Sequence, residues 1–152
     1  MVRTVLIVLL IVLVVIQFFK PEKNQSGDES KSISTVYTVP ANIQSLLKDG
    51  CYDCHSNYTA YPWYDRIQPV AWWLQHHVNE GKKELNFSEF ATYTPKKQAH
   101  KLKEVAEMVE KNEMPLNSYT WMHPKARLTN DQKQLIINWA KSLQAQIEQK
   151  GI

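Results

Sequence analysis

Five consecutive residues, Cys51-Tyr52-Asp53-Cys54-His55, constrain this chain more than any other stretch. They contain the only two cysteines in the sequence, so no disulfide framework can hold the fold together. Two thiols separated by two residues share one tight turn, and an imidazole follows at once. That spacing matches the separation of the two vinyl groups of haem. Each thiol can add to one vinyl as a thioether, leaving the histidine under the iron. From average residue usage the pattern arises by accident in roughly one chain of this length per thousand. A thioredoxin-like redox pair needs a βαβ setting, and this chain reads as all-helical. A structural zinc site needs four ligands, and His76 and His77, adjacent on a helix, diverge by about 100°. The run therefore predicts one covalent haem c, attached through Cys51 and Cys54, with His55 on the iron.

The N-terminus adds a second constraint. Thr4 to Phe19 is an almost unbroken apolar run, interrupted at Gln17, and Gln17-Phe18-Phe19-Lys20-Pro21 offers no small-residue cleavage pattern. It predicts an uncleaved signal anchor, a transmembrane helix over residues 1–19, although about 16 residues is short against the usual ~20. Arg3 precedes the run and Lys20 and Lys23 follow it, so flanking charge does not orient it. The cysteine–histidine run does: haem is attached to such sites outside the bacterial cytoplasm. The expectation is a single-pass inner-membrane protein with its haem domain in the periplasm.

Residues 20–38, rich in Ser, Lys, Glu and Gln, read as a flexible linker ending in a short extended stretch. Residues 39–152 form one haem-binding domain of helices. The first starts at Pro40, with Ile43, Leu46 and Leu47 as its apolar face and Gly50 at its end. The second runs from Pro69 to about Glu80 and is closed by Gly81. The third opens on Thr94-Pro95 and repeats Ala99, Leu102, Val105, Ala106 and Val109. The last opens on Thr129, with Gln132 completing a capping box, and buries Ile136, Trp139, Ala140, Leu143 and Ile147. Net charge is only +3, with no basic block, which excludes a nucleic-acid footprint.

An electron-carrying haem needs a second axial ligand. The candidates are Met108, Met114, Met122, His76, His77, His100 and His123. Met114 is preferred. It sits in Glu113-Met114-Pro115 just after a helix, 59 residues beyond His55, where proline stiffens the strap. Met122 and His123 are its rivals, and Met108 reads as core filler. Trp63, Tyr64, Trp72, Trp73, Tyr119 and Trp121 are candidate pocket walls, and Arg66 reads as exposed. The other ring N–H of His55 needs an acceptor, for which a carbonyl near Pro69 is the expectation.

Cys51-Tyr52-Asp53-Cys54-His55-Ser56-Asn57, Tyr61-Pro62-Trp63-Tyr64, Pro69-Val70-Ala71-Trp72-Trp73, Leu85-Asn86-Phe87-Ser88 and Glu113-Met114-Pro115-Leu116, with Tyr119 and His123-Pro124, together resemble the haem-binding domain family of small membrane-attached or secreted proteins in Bacteroidetes-type bacteria. The resemblance implies a cytochrome-c-like helical fold with His55 and Met114 on iron. The leading expectation is an electron-transfer protein with redox-protein partners rather than an enzyme. The alternatives are a gas sensor or peroxidase-like enzyme with an open or labile iron position, and a haem-bearing docking subunit.

Overall fold

Apolar residues spaced three and four apart become eight α-helices and three 3₁₀ turns in the computed structural model, which describes residues 1–150; no strand occurs among the described residues. In chain order they are α1 (Val2–Ile16), α2 (Ile33–Val36), α3 (Ala41–Gly50), α4 (Tyr52–His55), α5 (Val70–Glu84), α6 (Pro95–Glu110), α7 (Asn117–Met122) and α8 (Asn130–Lys150). The 3₁₀ turns are Trp63–Arg66, Phe87–Thr92 and Pro124–Ala126.

The most extensive pairing joins α6 to α8. Leu102, Ala106 and Val109 of α6 bury against Ile136, Ala140 and Leu143 of α8, and Ile43, Leu47, Phe87 and Phe90 complete the core. Each such large apolar side chain contributes about 1.5–3 kcal/mol on burial. The helix ends follow the sequence signals. The Thr94 hydroxyl accepts the Lys97 N–H at 3.3 Å. Thr129 and Gln132 exchange both capping-box bonds, at 2.9 and 3.2 Å. Asn112, with φ of 59°, takes the left-handed conformation just past α6.

Two expectations are corrected. The transmembrane helix over residues 1–19 is not formed. The helix has 15 residues, a rise of about 22 Å at 1.5 Å each against a hydrocarbon layer of about 30 Å. No helix among the described residues is long and apolar enough to cross a membrane. The α-helical run stops at Ile16; the Gln17, Phe18 and Phe19 N–H groups bond three residues back at 3.2 Å, and Gln17 Nε2 reaches the Gln68 carbonyl at 3.3 Å.

Nor is the segment 20–38 a free linker. Asn24 is buried and gives its side-chain amide to the Ser56 carbonyl and the Thr59 hydroxyl, both at 2.9 Å. Lys23 pairs with the buried Asp65, and the Asp28 carbonyl accepts the Asn57 amide at 3.0 Å. Ile33 lies in the core at 1% exposure. The segment is held by scattered side-chain and backbone hydrogen bonds, an ion pair and one core residue, which leave no periodic trace in a polar sequence.

Candidate functional site

The site is built on a single helical turn. Gly50 ends α3, the Cys51 N–H still reaches the Leu47 carbonyl at 2.8 Å, and the His55 N–H bonds the Cys51 carbonyl at 2.9 Å. Positions 51, 54 and 55 are thereby spaced i, i+3, i+4 and share one side of the turn. Their side chains line a cleft of about 290 Å³. Met114, Pro115, Leu116 and Tyr119 line it from the strap after α6, and His76, His77, Glu80, Gly81 and Glu84 from α5. All four predicted site residues, Cys51, Cys54, His55 and Met114, thus meet in one cleft.

His55 Nδ1 lies 3.0 Å from the Leu85 carbonyl. A carbonyl can only accept, so Nδ1 carries the proton and Nε2 keeps its lone pair. The acceptor is Leu85, at the end of α5, and not a carbonyl near Pro69. Burial lowers the His55 pKa from its ordinary value, which keeps the imidazole neutral and able to ligate metal. Burial also pushes the thiols up, Cys51 to about 12 and Cys54 to about 11. The neighbouring thiol adds to the first shift and the Asp53 carboxylate to the second.

Gly81 does not close α5, which continues to Glu84. Its role is proximity. A Cβ there would lie 2.7 Å from the Cys54 carbonyl oxygen and 3.0 Å from the Cys54 Cβ. Only glycine lets α5 lie this closely on the cysteine turn. Gly50 plays a milder part, with a Cβ there 3.2 Å from the Pro115 ring.

Asp53, inside the turn, is the connection that sequence reasoning missed. Its carboxylate accepts the Tyr119 hydroxyl at 2.7 Å and the Ala60 N–H at 3.0 Å. Its carbonyl accepts the Thr59 hydroxyl at 2.6 Å. The Tyr119 phenol is pushed up by burial and then by the Asp53 bond, so it stays a donor. Its ring stacks on His123 at 4.1 Å. The only signal in the sequence was an acid inside the cysteine run and a tyrosine shortly after Met114.

A second cavity of about 400 Å³ adjoins the first and shares Asp53, Cys54, His77, Leu116 and Tyr119 with it. Trp63, Tyr64, Trp73 and Trp121 line it, as expected of pocket walls, whereas Trp72 lines neither cavity. Two thiols, an imidazole nitrogen, a thioether and a long apolar wall are the donor set and surface that a flat iron macrocycle requires.

The other candidates separate by position. Met122 and His123 line the second cavity but not the cleft with His55. His100 is exposed and pairs with Glu104 at 3.2 Å. Met108 lies off both cavities, its carbonyl accepting the Met114 N–H at 3.2 Å. His76 is exposed, as is Arg66. His77, one of the candidate ligands, is half-buried on the cleft wall, with Nδ1 2.8 Å from the Trp73 carbonyl.

Among known proteins, a family model described as a haem-binding domain matches residues 11–142. No curated protein and no solved structure matches the chain.

Proposed function

The chain belongs to the haem-binding domain family, and from that premise we propose that it is an exported electron carrier holding one covalent haem c. The observation that carries this reading is the convergence of Cys51, Cys54, His55 and Met114 on one cleft. Cys51 and Cys54 would hold the haem as thioethers, and His55 Nε2 and the Met114 sulfur would ligate its iron. Iron held by both ligands supplies one-electron exchange at a potential raised relative to bis-histidine ligation.

The protein residues do the rest. The Leu85 carbonyl fixes the His55 ring and raises its basicity. The aromatic wall excludes water, and the Asp53–Tyr119 bond holds the strap that presents Met114. With both ligands drawn from the chain the iron would have no open position, so no substrate chemistry is assigned. Covalent attachment requires export, which places the domain in the periplasm. The exposed apolar surface of α1 attaches the protein to the membrane by sinking into hydrocarbon.

One observation favours a second reading: the Nε2 of His77 is unengaged while its ring lines the same cleft. Met114→Ala separates the two. The expected result is loss of the thioether-to-iron band at the red end of the oxidised spectrum and rapid carbon monoxide binding by the reduced protein. An unchanged spectrum in Met114→Ala, with a changed one in His77→Ala, assigns the sixth position to His77 instead.

A further inference from the structure

The end of α1 is fixed to the haem domain by side chains. Gln17 donates through Nε2 to the Leu13 and Gln68 carbonyls at 2.8 and 3.3 Å, and its Oε1 accepts the Gln68 N–H at 2.9 Å. Gln68, only 2% exposed, donates to the Phe19 carbonyl at 2.8 Å. The Trp72 indole N–H reaches the same carbonyl at 2.8 Å. These bonds tie the last turn of α1 to the start of α5, so the domain does not pivot freely on the apolar helix.

The joint is ringed by apolar surface. Phe18 is 81% and Phe19 62% exposed, and Ile67, Val70 and Trp72, which flank or make the Gln68 and Trp72 bonds to the Phe19 carbonyl, are exposed too. This surface is continuous with α1, which buries no residue against protein. Lys20 and Arg66, both exposed, adjoin it in sequence, against the exposed Glu22. Trp72 has its N–H already satisfied by Phe19, so its ring can enter a medium of low dielectric without stranding a donor. Aromatic rings at a helix end, edged with cations, are the surface that an anionic phospholipid headgroup layer accommodates.

We infer that this rim is a lipid-docking face: Phe18, Phe19, Ile67, Val70 and Trp72 seat in the headgroup layer of an anionic bilayer and hold the haem domain at a fixed angle to it. The inference rests on the membrane-attachment reading and adds to it. A tethered domain would sample all orientations, whereas a seated one keeps a single face down. Val70 also lines the aromatic cavity, so that side of the cavity is turned toward lipid. Electron exchange through this side is then confined to partners within or at the membrane.

The experiment uses the haem-loaded full chain bound to vesicles of phosphatidylglycerol and phosphatidylethanolamine. One spin label is placed at Val70→Cys and a second, in a separate variant, at Ser142→Cys on α8. Collision with oxygen reports the lipid phase, and collision with a water-soluble nickel chelate reports water. The Val70 label is expected to be several-fold less accessible to nickel than the Ser142 label, and more accessible to oxygen. Cutting the joint with Gln17→Leu and Trp72→Phe is expected to return the Val70 label to nickel while the chain still floats with the vesicles. If the chain floats but the Val70 label meets nickel as freely as the Ser142 label, the docking face is overturned and attachment stands. If the chain does not float, the attachment reading fails first and the docking face with it. A Val70 label still shielded after the joint is cut overturns the role given to Gln17 and Trp72.

Discussion

At the scale of single residues, the chemistry of the cleft is set by burial. Cys54 is moved from an ordinary 9 to about 11, which at pH 8 lowers its thiolate fraction on the order of 100-fold. In the haem-free folded chain both thiols are therefore expected to alkylate slowly with iodoacetamide. They should react far faster once denaturant unfolds the protein, a contrast that mass spectrometry reads directly. Equal rates in both states would show the thiols to be unburied. Gly81 is a second single-residue determinant. Gly81→Ala puts a methyl 2.7 Å from the Cys54 carbonyl oxygen, a backbone atom with little room to yield. The expected cost is about 1–3 kcal/mol of stability, as for other overpacked sites, visible as a lower midpoint in denaturant. The sequence showed this glycine but pointed to the wrong use. A glycine near the end of a polar helix reads as a terminator, and close approach by another backbone leaves no mark in local sequence.

Among elements, α4 and α7 are coupled through one hydrogen bond, Tyr119 to Asp53. Tyr119→Phe removes it and strands a partly buried carboxylate oxygen. The expected loss is about 1–3 kcal/mol, since the acceptor is charged. The strap bearing Met114 loosens with it. Stopped-flow mixing of the reduced variant with carbon monoxide is expected to show faster binding than wild type; an unchanged rate would mean that the strap is held by other contacts. The helices themselves were largely legible. α3, α6 and α8 carry apolar stripes, α6 and α8 also open on side-chain caps, and Ile43, Leu102 and Ile136 are buried as read. α7 was not foreseen: Asn117–Met122 is short, polar and aromatic, and buries no residue completely. The convergence of Met114 with the cysteine run was legible from the Met-Pro strap and its distance along the chain. The Leu85 acceptor was not, because a carbonyl has no sequence signature.

Across the whole molecule, stability rests on the α6–α8 core while the cleft lies between α4, α5 and the strap. Leu102 is 0% exposed at the centre of that core. Leu102→Ala is expected to cost about 2–5 kcal/mol through lost transfer energy and the cavity left behind. If haem is attached first, the iron spectrum at low denaturant should change little, since the substitution lies away from the ligands. A spectrum altered as strongly as by Met114→Ala would place the core and the cleft in one cooperative unit with no separation between them. The course of residues 20–38 was the largest feature hidden from sequence. Polar composition predicts freedom, yet Asn24, Asn57 and Ser88 bind this arm to the domain through amide and hydroxyl groups whose partners are far away in the chain.

The close contact of Gly81 with Cys54 also sets an order in time. Once α5 has settled on the cysteine turn, the half-buried thiols are pushed up, and a protonated thiol is a poor nucleophile toward a vinyl group. On the proposed covalent reading, the thioethers would form more readily on a chain whose α5 has not yet closed on the turn. Haem would then arrive early, with α5 packing over a turn already bonded to it, and a chain that folded first would be the harder one to load.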